Sequence, residues 1–199
     1  EMIENIIIDA QGKVFFQSNS AIYVYSDSKI QVINAKEGFP FRESFLMNGV
    51  YLVGVDGQGL LKYDGTALDS YYSNPFLNDA TIQGVFSFNG LELVALDGFG
   101  LYYLADTLEK IPIPTLRTSA IYRSIQINKN LVSIGTVGDG VYLYTNNFDL
   151  VYHHNKGDEN TQFIDMEGNL WIGSNKDILK IAINSNVTKM ELENSEIGT

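Results

Sequence analysis

The chain has no cysteine. Disulfide frameworks, thiolate nucleophiles and cysteine-based zinc sites are thereby removed. Histidine occurs only as the neighbours His153 and His154. Adjacent residues on a strand point to opposite faces, so this pair makes a poor shared metal site and reads as a polar strand end. No His-Glu-x-x-His, His-x-Glu or Gly-x-Ser-x-Gly pattern is present, so zinc and serine hydrolase chemistry lack their usual residues. Basic residues are few, 13 Lys and Arg against 24 Asp and Glu, for a formal net charge of −11. A surface of that sign repels phosphate backbones and no basic cluster offsets it, which argues against a nucleic-acid partner. No apolar run is long enough for a membrane-spanning helix. No signal-peptide pattern is visible either, so location is not written in these residues. Proline is limited to Pro40, Pro75, Pro112 and Pro114, all between the repeats described next.

What the chain does have is aromatic residues, glycine and a repeat. Twelve Tyr and eleven Phe stand against one Trp, a composition that suits strands. The 18 glycines follow no collagen period and mark turns. Five β-prone runs start after Ser20, Gly59, Gly100, Gly140 and Asp177, at spacings of 39, 41, 40 and 37 residues. Each is preceded by another such run: Val14-Phe15-Phe16, Tyr51-Leu52-Val53, Leu93-Val94-Ala95, Val132-Ser133-Ile134 and Leu170-Trp171-Ile172. Three repeats carry closely similar turns between the two runs: Asp56-Gly57-Gln58-Gly59, Asp97-Gly98-Phe99-Gly100 and Val137-Gly138-Asp139-Gly140. Five copies in register define one array rather than two cores.

The runs predict four-stranded antiparallel meanders at about 3–37, 43–72, 82–111, 121–153 and 161–192. First strands are expected at Ile3–Ile8, Ser44–Met47, Gln83–Phe88, Tyr122–Ile127 and Gln162–Asp165, and Ser73-Asn74-Pro75 is read as a plain crossing between units. A repeated meander of about 40 residues is the signature of a β-propeller blade, because one such sheet buries both faces only by stacking on others. The expected fold is therefore all-β, with propeller blades over 1–185 and a last strand or linker over 186–199.

The segment Asp165-Met166-Glu167-Gly168-Asn169-Leu170-Trp171-Ile172-Gly173-Ser174 resembles the two-component regulator propeller repeat, whose pattern is roughly Asp-x-x-Gly-x-Leu-Trp-Ile-Gly-Thr-x-x-Gly-Leu-x-x-Tyr. Gly54 to Tyr63 and Ile134 to Tyr144 match its second half; Asp9-x-x-Gly12 keeps only its start, and the third repeat lacks the Asp. The resemblance covers nearly the whole chain and implies periplasmic sensor modules of bacterial hybrid two-component systems, common in Bacteroidetes-type bacteria. Those modules often carry seven-bladed propellers ahead of a membrane helix and a histidine kinase, and many respond to carbohydrates. The function it implies is non-enzymatic extracytoplasmic sensing of a small molecule or oligosaccharide, without a cofactor, any kinase lying outside this segment. Five repeats against seven leave open a fragment, a five-bladed ring, or a partial propeller completed by further blades or a second chain, with homo-oligomers expected. Two other functions stand beside sensing: a scaffold propeller in envelope assembly or type IX-like secretion, and a propeller lyase or glycosidase.

Candidate ligand-binding residues fall on the rim that carries the crossings and the loops between second and third strands. Asp56, Asp97 and Asp139 could form a ring of carboxylates for a cation or sugar hydroxyls, or build tight turns. Phe39, Arg42, Tyr72, Asn74, Phe99, Arg117, His154 and Lys156 add aromatic faces and hydrogen-bonding groups. Asp9 and Asp165 are read as braces of their own hairpins. No catalytic or metal-ligating residues are assigned.

Overall fold

The computed structural model describes residues 2–88, 90–116, 120–155, 159–174, 177–183 and 190–191. Blade 1 consists of β1 (Asn5–Ile8), β2 (Val14–Gln17), β3 (Ala21–Ser26) and β4 (Lys29–Asn34). Blade 2 consists of β5 (Phe41–Met47), β6 (Val50–Val55), β7 (Gly59–Tyr63) and β8 (Leu68–Tyr72). The helix α1 (Pro75–Asp79) precedes blade 3, formed by β9 (Ile82–Phe88), β10 (Leu91–Leu96), β11 (Gly100–Leu104) and β12 (Leu108–Lys110). Blade 4 holds β13 (Ile121–Asn128), β14 (Leu131–Thr136), β15 (Val141–Thr145) and β16 (Leu150–His154). Blade 5 holds β17 (Glu159–Ile164), β18 (Leu170–Ser174), β19 (Ile178–Ile181) and β20 (Met190–Glu191). Each blade is an antiparallel sheet in chain order, and the blades are arranged as a propeller. Most of the segment 186–199, expected as strand or linker, lies outside the described residues.

The helix in the crossing departs from the sequence expectation. Asn74 caps it, its Oδ1 accepting the Phe76 N–H at 2.9 Å, and Pro75 takes the first helical position. That position needs no N–H donor, so Pro suits it. Leu77 on this helix is buried in the core between blades 2 and 3.

Burial follows from stacking. The second strands β6, β10 and β14 are buried on both faces over most of their length, whereas β2 alternates buried with half-buried. Blades 2, 3 and 4 are therefore covered on both sides. Four core clusters fill the four interfaces between successive blades. Between blades 1 and 2, Phe15 stacks face to face on Tyr51 with ring centroids 4.1 Å apart. Among the described residues no fifth cluster joins blade 5 to blade 1. The outward face of blade 1, set by the pairings Ile6–Phe16–Tyr23–Val32 and Ile8–Val14–Tyr25–Ile30, is apolar throughout. Ile8 and Ile30 there are 62% and 65% exposed. On the far face of blade 5, Phe163 and Ile178 are 61% and 60% exposed. Among the described residues the five blades thus form an arc whose two ends share no core cluster.

The first strands lie side by side around the axis. They are stitched by side chains that reach the neighbouring blade 39 residues away. Asn5 Nδ2 donates to Ser44 O at 2.9 Å, Gln126 Nε2 to Ser87 O at 2.7 Å, and Gln162 Nε2 to Arg123 O at 3.3 Å. These bonds satisfy polar groups where no ladder runs between sheets.

The turns show why the repeat carries its Asp and Gly. Asp165 Oδ1 accepts the N–H of Glu167 and Asn169, and its Oδ2 accepts Trp171 Nε1–H at 2.8 Å. Asp9 Oδ1 likewise accepts the N–H of Gln11 and Lys13, both at 2.9 Å. Trp171 in turn carries the Lys180 ammonium 5.0 Å from its ring centroid. In the loop after β14, Gly138 and Gly140 both have φ near +80° (83° and 74°). A Cβ on Gly138 would meet nothing within 4 Å, while one on Gly140 would lie 1.9 Å from the His154 carbonyl oxygen.

Two outcomes follow. Gly138→Ala will cost about 1 kcal/mol from left-handed backbone strain alone, and Gly140→Ala more than about 3 kcal/mol because blade 4 must open; denaturant titration of both variants reads the difference, and equal losses would refute the close approach. The second concerns pH. The Trp171 N–H, then Asn169 and the turn amides, hold the Asp165 carboxyl far below the usual carboxylate range. Its contribution is complete above the unfolded value of about 4 and lost as pH falls through the lower folded value. The gap in thermal midpoint between the natural protein and Asp165→Asn will therefore be widest near neutrality and shrink in acid; a gap independent of pH would contradict it.

Candidate functional site

The first strands of blades 2 to 5 share an irregularity. Register shifts by one residue near the start of each: between Phe41 and Ser44, at Gln83, at Tyr122, and between Glu159 and Thr161. Each bulge lies opposite the end of a second strand, beside Gly54, Ala95, Gly135 and Gly173. A bulge re-aims the side chains beside it. Here it turns polar residues from blades 2 to 5 into one opening at the rim, where Glu4 of blade 1 joins them.

That mouth, about 420 Å³, is lined by Glu4, Arg42, Glu43, Thr81, Gln83, Tyr122, Arg123 and Thr161, with every blade contributing. It continues into a central channel of about 330 Å³ whose wall includes Asn5, Ser44, Ser124, Gln126, Gln162 and Phe163. Glu43, Gln83 and Arg123 line both. Gln162 packs so closely over Gly135 that a Cβ there would lie 2.4 Å from its Nε2. The repeat's small residue thus makes room for a neighbour's polar side chain.

Two guanidinium groups serve the mouth differently. Arg42 forms a bidentate pair with Asp56, Nε to Oδ1 at 2.9 Å and Nη2 to Oδ2. This bond raises its pKa further, against the opposing effect of burial. Arg123 on blade 4 reaches past blade 3 to Glu43 on blade 2, with Nη1 3.7 Å from Oε2. Burial pushes the Glu43 carboxyl above its ordinary range; Arg123 pulls it back and Glu4 adds to the rise. Below this pair, Ser124 Oγ and Gln162 Oε1 are buried without a hydrogen-bond partner. Tyr122 is 44% exposed and presents an aromatic face to the mouth.

Of the residues expected from sequence, Arg42 alone among those described lines this mouth. Its partner Asp56 stands beside it, and Asp97 is exposed in the corresponding loop of blade 3. Asp139 accepts the Tyr142 hydroxyl, with the His153 Nε2 2.8 Å from its backbone oxygen and the His153 ring stacked on Tyr142 at 3.9 Å. The three carboxylates therefore sit in equivalent loops, but two are engaged locally. Tyr72 donates its hydroxyl to Ala105 O at 2.8 Å and ties blade 2 to blade 3. Asn74 is the helix cap. Phe99 meets Phe76 edge-on at 4.9 Å. His154 is buried. Phe39 lines a larger cavity of about 530 Å³, the seam between blades 1 and 2. We favour the mouth over that seam as a ligand site because the seam is lined only from blades 1 and 2 and the crossing that follows them, whereas every blade contributes to the mouth. Arg117 and Lys156 lie outside the described residues.

The mouth residues missed by sequence reasoning sit at positions 4, 43, 83 and 123 and at positions 81, 122 and 161. Their near-40-residue spacing is the one signal that could have found them. Among the described residues no group of three His, Asp or Glu side chains is placed to hold a metal ion.

No family model matches the sequence, and no curated protein is similar to it in sequence. Solved structures are similar in fold. The extracellular domain of a putative hybrid two component system from B. thetaiotaomicron superposes with a TM-score of 0.67 at 17% identity, over 92% of this chain and 29% of that one. A virginiamycin B lyase from Staphylococcus aureus gives 0.68 at 13% identity, over 95% and 69%. A streptogramin B lyase gives 0.70 at 16%, over 96% and 69%. The chain thus spans under a third of the two-component protein's domain it matches. At these identities the likeness is one of fold: an all-β propeller shared with extracellular domains of two-component systems and with lyases.

Proposed function

We propose that this propeller is an extracytoplasmic sensing module that binds a small polar ligand at the mouth of its central channel and passes the binding to a two-component signalling partner. The observation that carries the reading is the recurring bulge, which gathers polar side chains from all along the chain into one opening. Arg123 and Glu43 there are 34% and 38% exposed and stand 3.7 Å apart, so each charge is only loosely matched by the other. The likeness to extracellular domains of hybrid two-component systems supports the signalling half. Against a lyase, neither histidine of the chain lines the mouth, so histidine-dependent chemistry has no residue there. Binding signals only where the ligand prefers one of two arrangements. The open arc supplies a candidate for two such arrangements, because a ligand touching all five first strands favours one curvature.

A thermal-shift screen of sugars, organic acids, amino acids and nucleosides tests the binding half. At least one class will raise the midpoint of the natural protein, by roughly 5 °C at saturation, and Arg123→Ala will abolish that rise. Equal stabilisation of the variant, or none by any class, would refute the mouth as the site. The native reading frame tests the signalling half: an apolar span and a kinase domain downstream are expected, and a stop codon soon after Thr199 would sink that part.

A further inference from the structure

We infer that the mouth takes a small zwitterion of the α-amino acid class, its carboxylate on Arg123 and its ammonium between Glu43 and Glu4. This rests on the reading of the mouth as the ligand site. The argument begins with which charges are already committed. Arg42 gives two of its five N–H groups to Asp56 in a bidentate pair, so its charge is already matched by a carboxylate. Arg123 and Glu43 meet at 3.7 Å, too far for a charge-assisted hydrogen bond, which closes at about 2.7–2.9 Å. They come from blades that are not neighbours and span the opening. The result is a carboxylate and a guanidinium in one half-buried site, each with hydrogen-bonding capacity its partner does not use. A second carboxylate, Glu4, lies in the same lining.

Such a site selects by charge. A simple anion meets Glu4 and Glu43, and a simple cation meets Arg123. A neutral polyol can hydrogen-bond to either sign but brings no charge to balance them. A molecule carrying both charges a few ångströms apart satisfies all three, with its carboxylate taking the planar guanidinium fork in bidentate fashion.

The channel beneath adds a preference for the side chain. Ser124 and Gln162 are only 7% and 4% exposed. Their Oγ and Oε1 have no hydrogen-bond partner, and both residues line the channel. A buried polar atom without a partner carries the full cost of its desolvation. Gln162 Oε1 can only accept, and the Ser124 hydroxyl can donate or accept. Both atoms have almost no accessible surface as the side chains stand, so a carboxamide that enters from the mouth reaches them by turning these side chains toward it, and then supplies the donor Gln162 lacks and an acceptor for Ser124. The preferred side chain is thus short, polar and uncharged, with an amide ahead of a carboxylate.

Isothermal titration calorimetry with L-glutamine, glycine, N-acetyl-L-glutamine and glucose tests this. Glutamine should bind best. N-acetylglutamine, which lacks the ammonium, should bind at least about ten-fold more weakly to the natural protein, a comparison that no misfolded variant can confuse. Arg123→Ala and Glu43→Gln should each weaken glutamine by at least about ten-fold, with circular dichroism confirming the fold. Ser124→Ala should weaken glutamine by roughly five-fold and leave glycine unchanged. Failure of both amino acids to bind overturns the inference, as does binding unaffected by N-acetylation. If glucose binds instead and its binding is lost in Arg123→Ala, the ligand class is wrong while the mouth remains the site. If the compounds that bind do so equally well to Arg123→Ala, the mouth itself is wrong.

Discussion

A four-stranded sheet with apolar side chains on both faces has one way to exist in water, which is to stack on another of its kind. That constraint organises this protein. It explains why the second strands of blades 2, 3 and 4 are buried on both sides. It explains why each of the four interfaces has its own core cluster. It also explains what the two ends look like, because blade 1 presents Ile6, Ile8, Ile30 and Val32 to solvent where a neighbouring blade would otherwise cover them. Sheet faces of this kind are normally paired or hidden.

Stacking alone would leave the axis lined by whatever alternation places there. The bulges change that. Each starts where a first strand reaches the rim, opposite a small residue that allows the neighbouring blade to approach. The same small residues let polar side chains such as Gln162 cross between blades and bond to the backbone. The wall of the channel is thus hydrogen-bonded from blade to blade, while its mouth keeps charges that are incompletely matched. Stability and binding capacity come from the same repeated position, used differently in each copy.

The repeat, the four-stranded blades and the hairpin braces were legible in the sequence because each rests on local chemistry. Asp9 and Asp165 accept turn amides, and Gly140 admits the His154 carbonyl. Period-two runs fill the remaining strands. Helix α1 was legible in principle, since Asn74-Pro75 is a cap followed by a first-turn proline, but five residues without a helical period read as a crossing. The mouth was not legible. First strands begin earlier than expected, at Phe41, Ile82, Ile121 and Glu159, because a bulge interrupts alternation and makes the strand start look like loop. The residues it re-aims, Glu43, Gln83, Tyr122 and Arg123, differ in type from blade to blade and are separated by the whole repeat. Asp56 stands beside the mouth, yet its side chain is taken by Arg42, which only the distance between them reveals. Tyr72 and Asn74 were chosen for their hydrogen-bonding groups, and those groups are already in use within the fold.

The central claim is that five first strands converge on one ligand site. Backbone hydrogen exchange, measured with and without whichever compound stabilises the protein most, tests it directly. The account predicts that protection rises together at the rim ends of β1, β5, β9, β13 and β17, segments about 40 residues apart, with the outer strands unchanged. Protection confined to the seam between blades 1 and 2, around Phe39, Gly57 and Leu68, would contradict it.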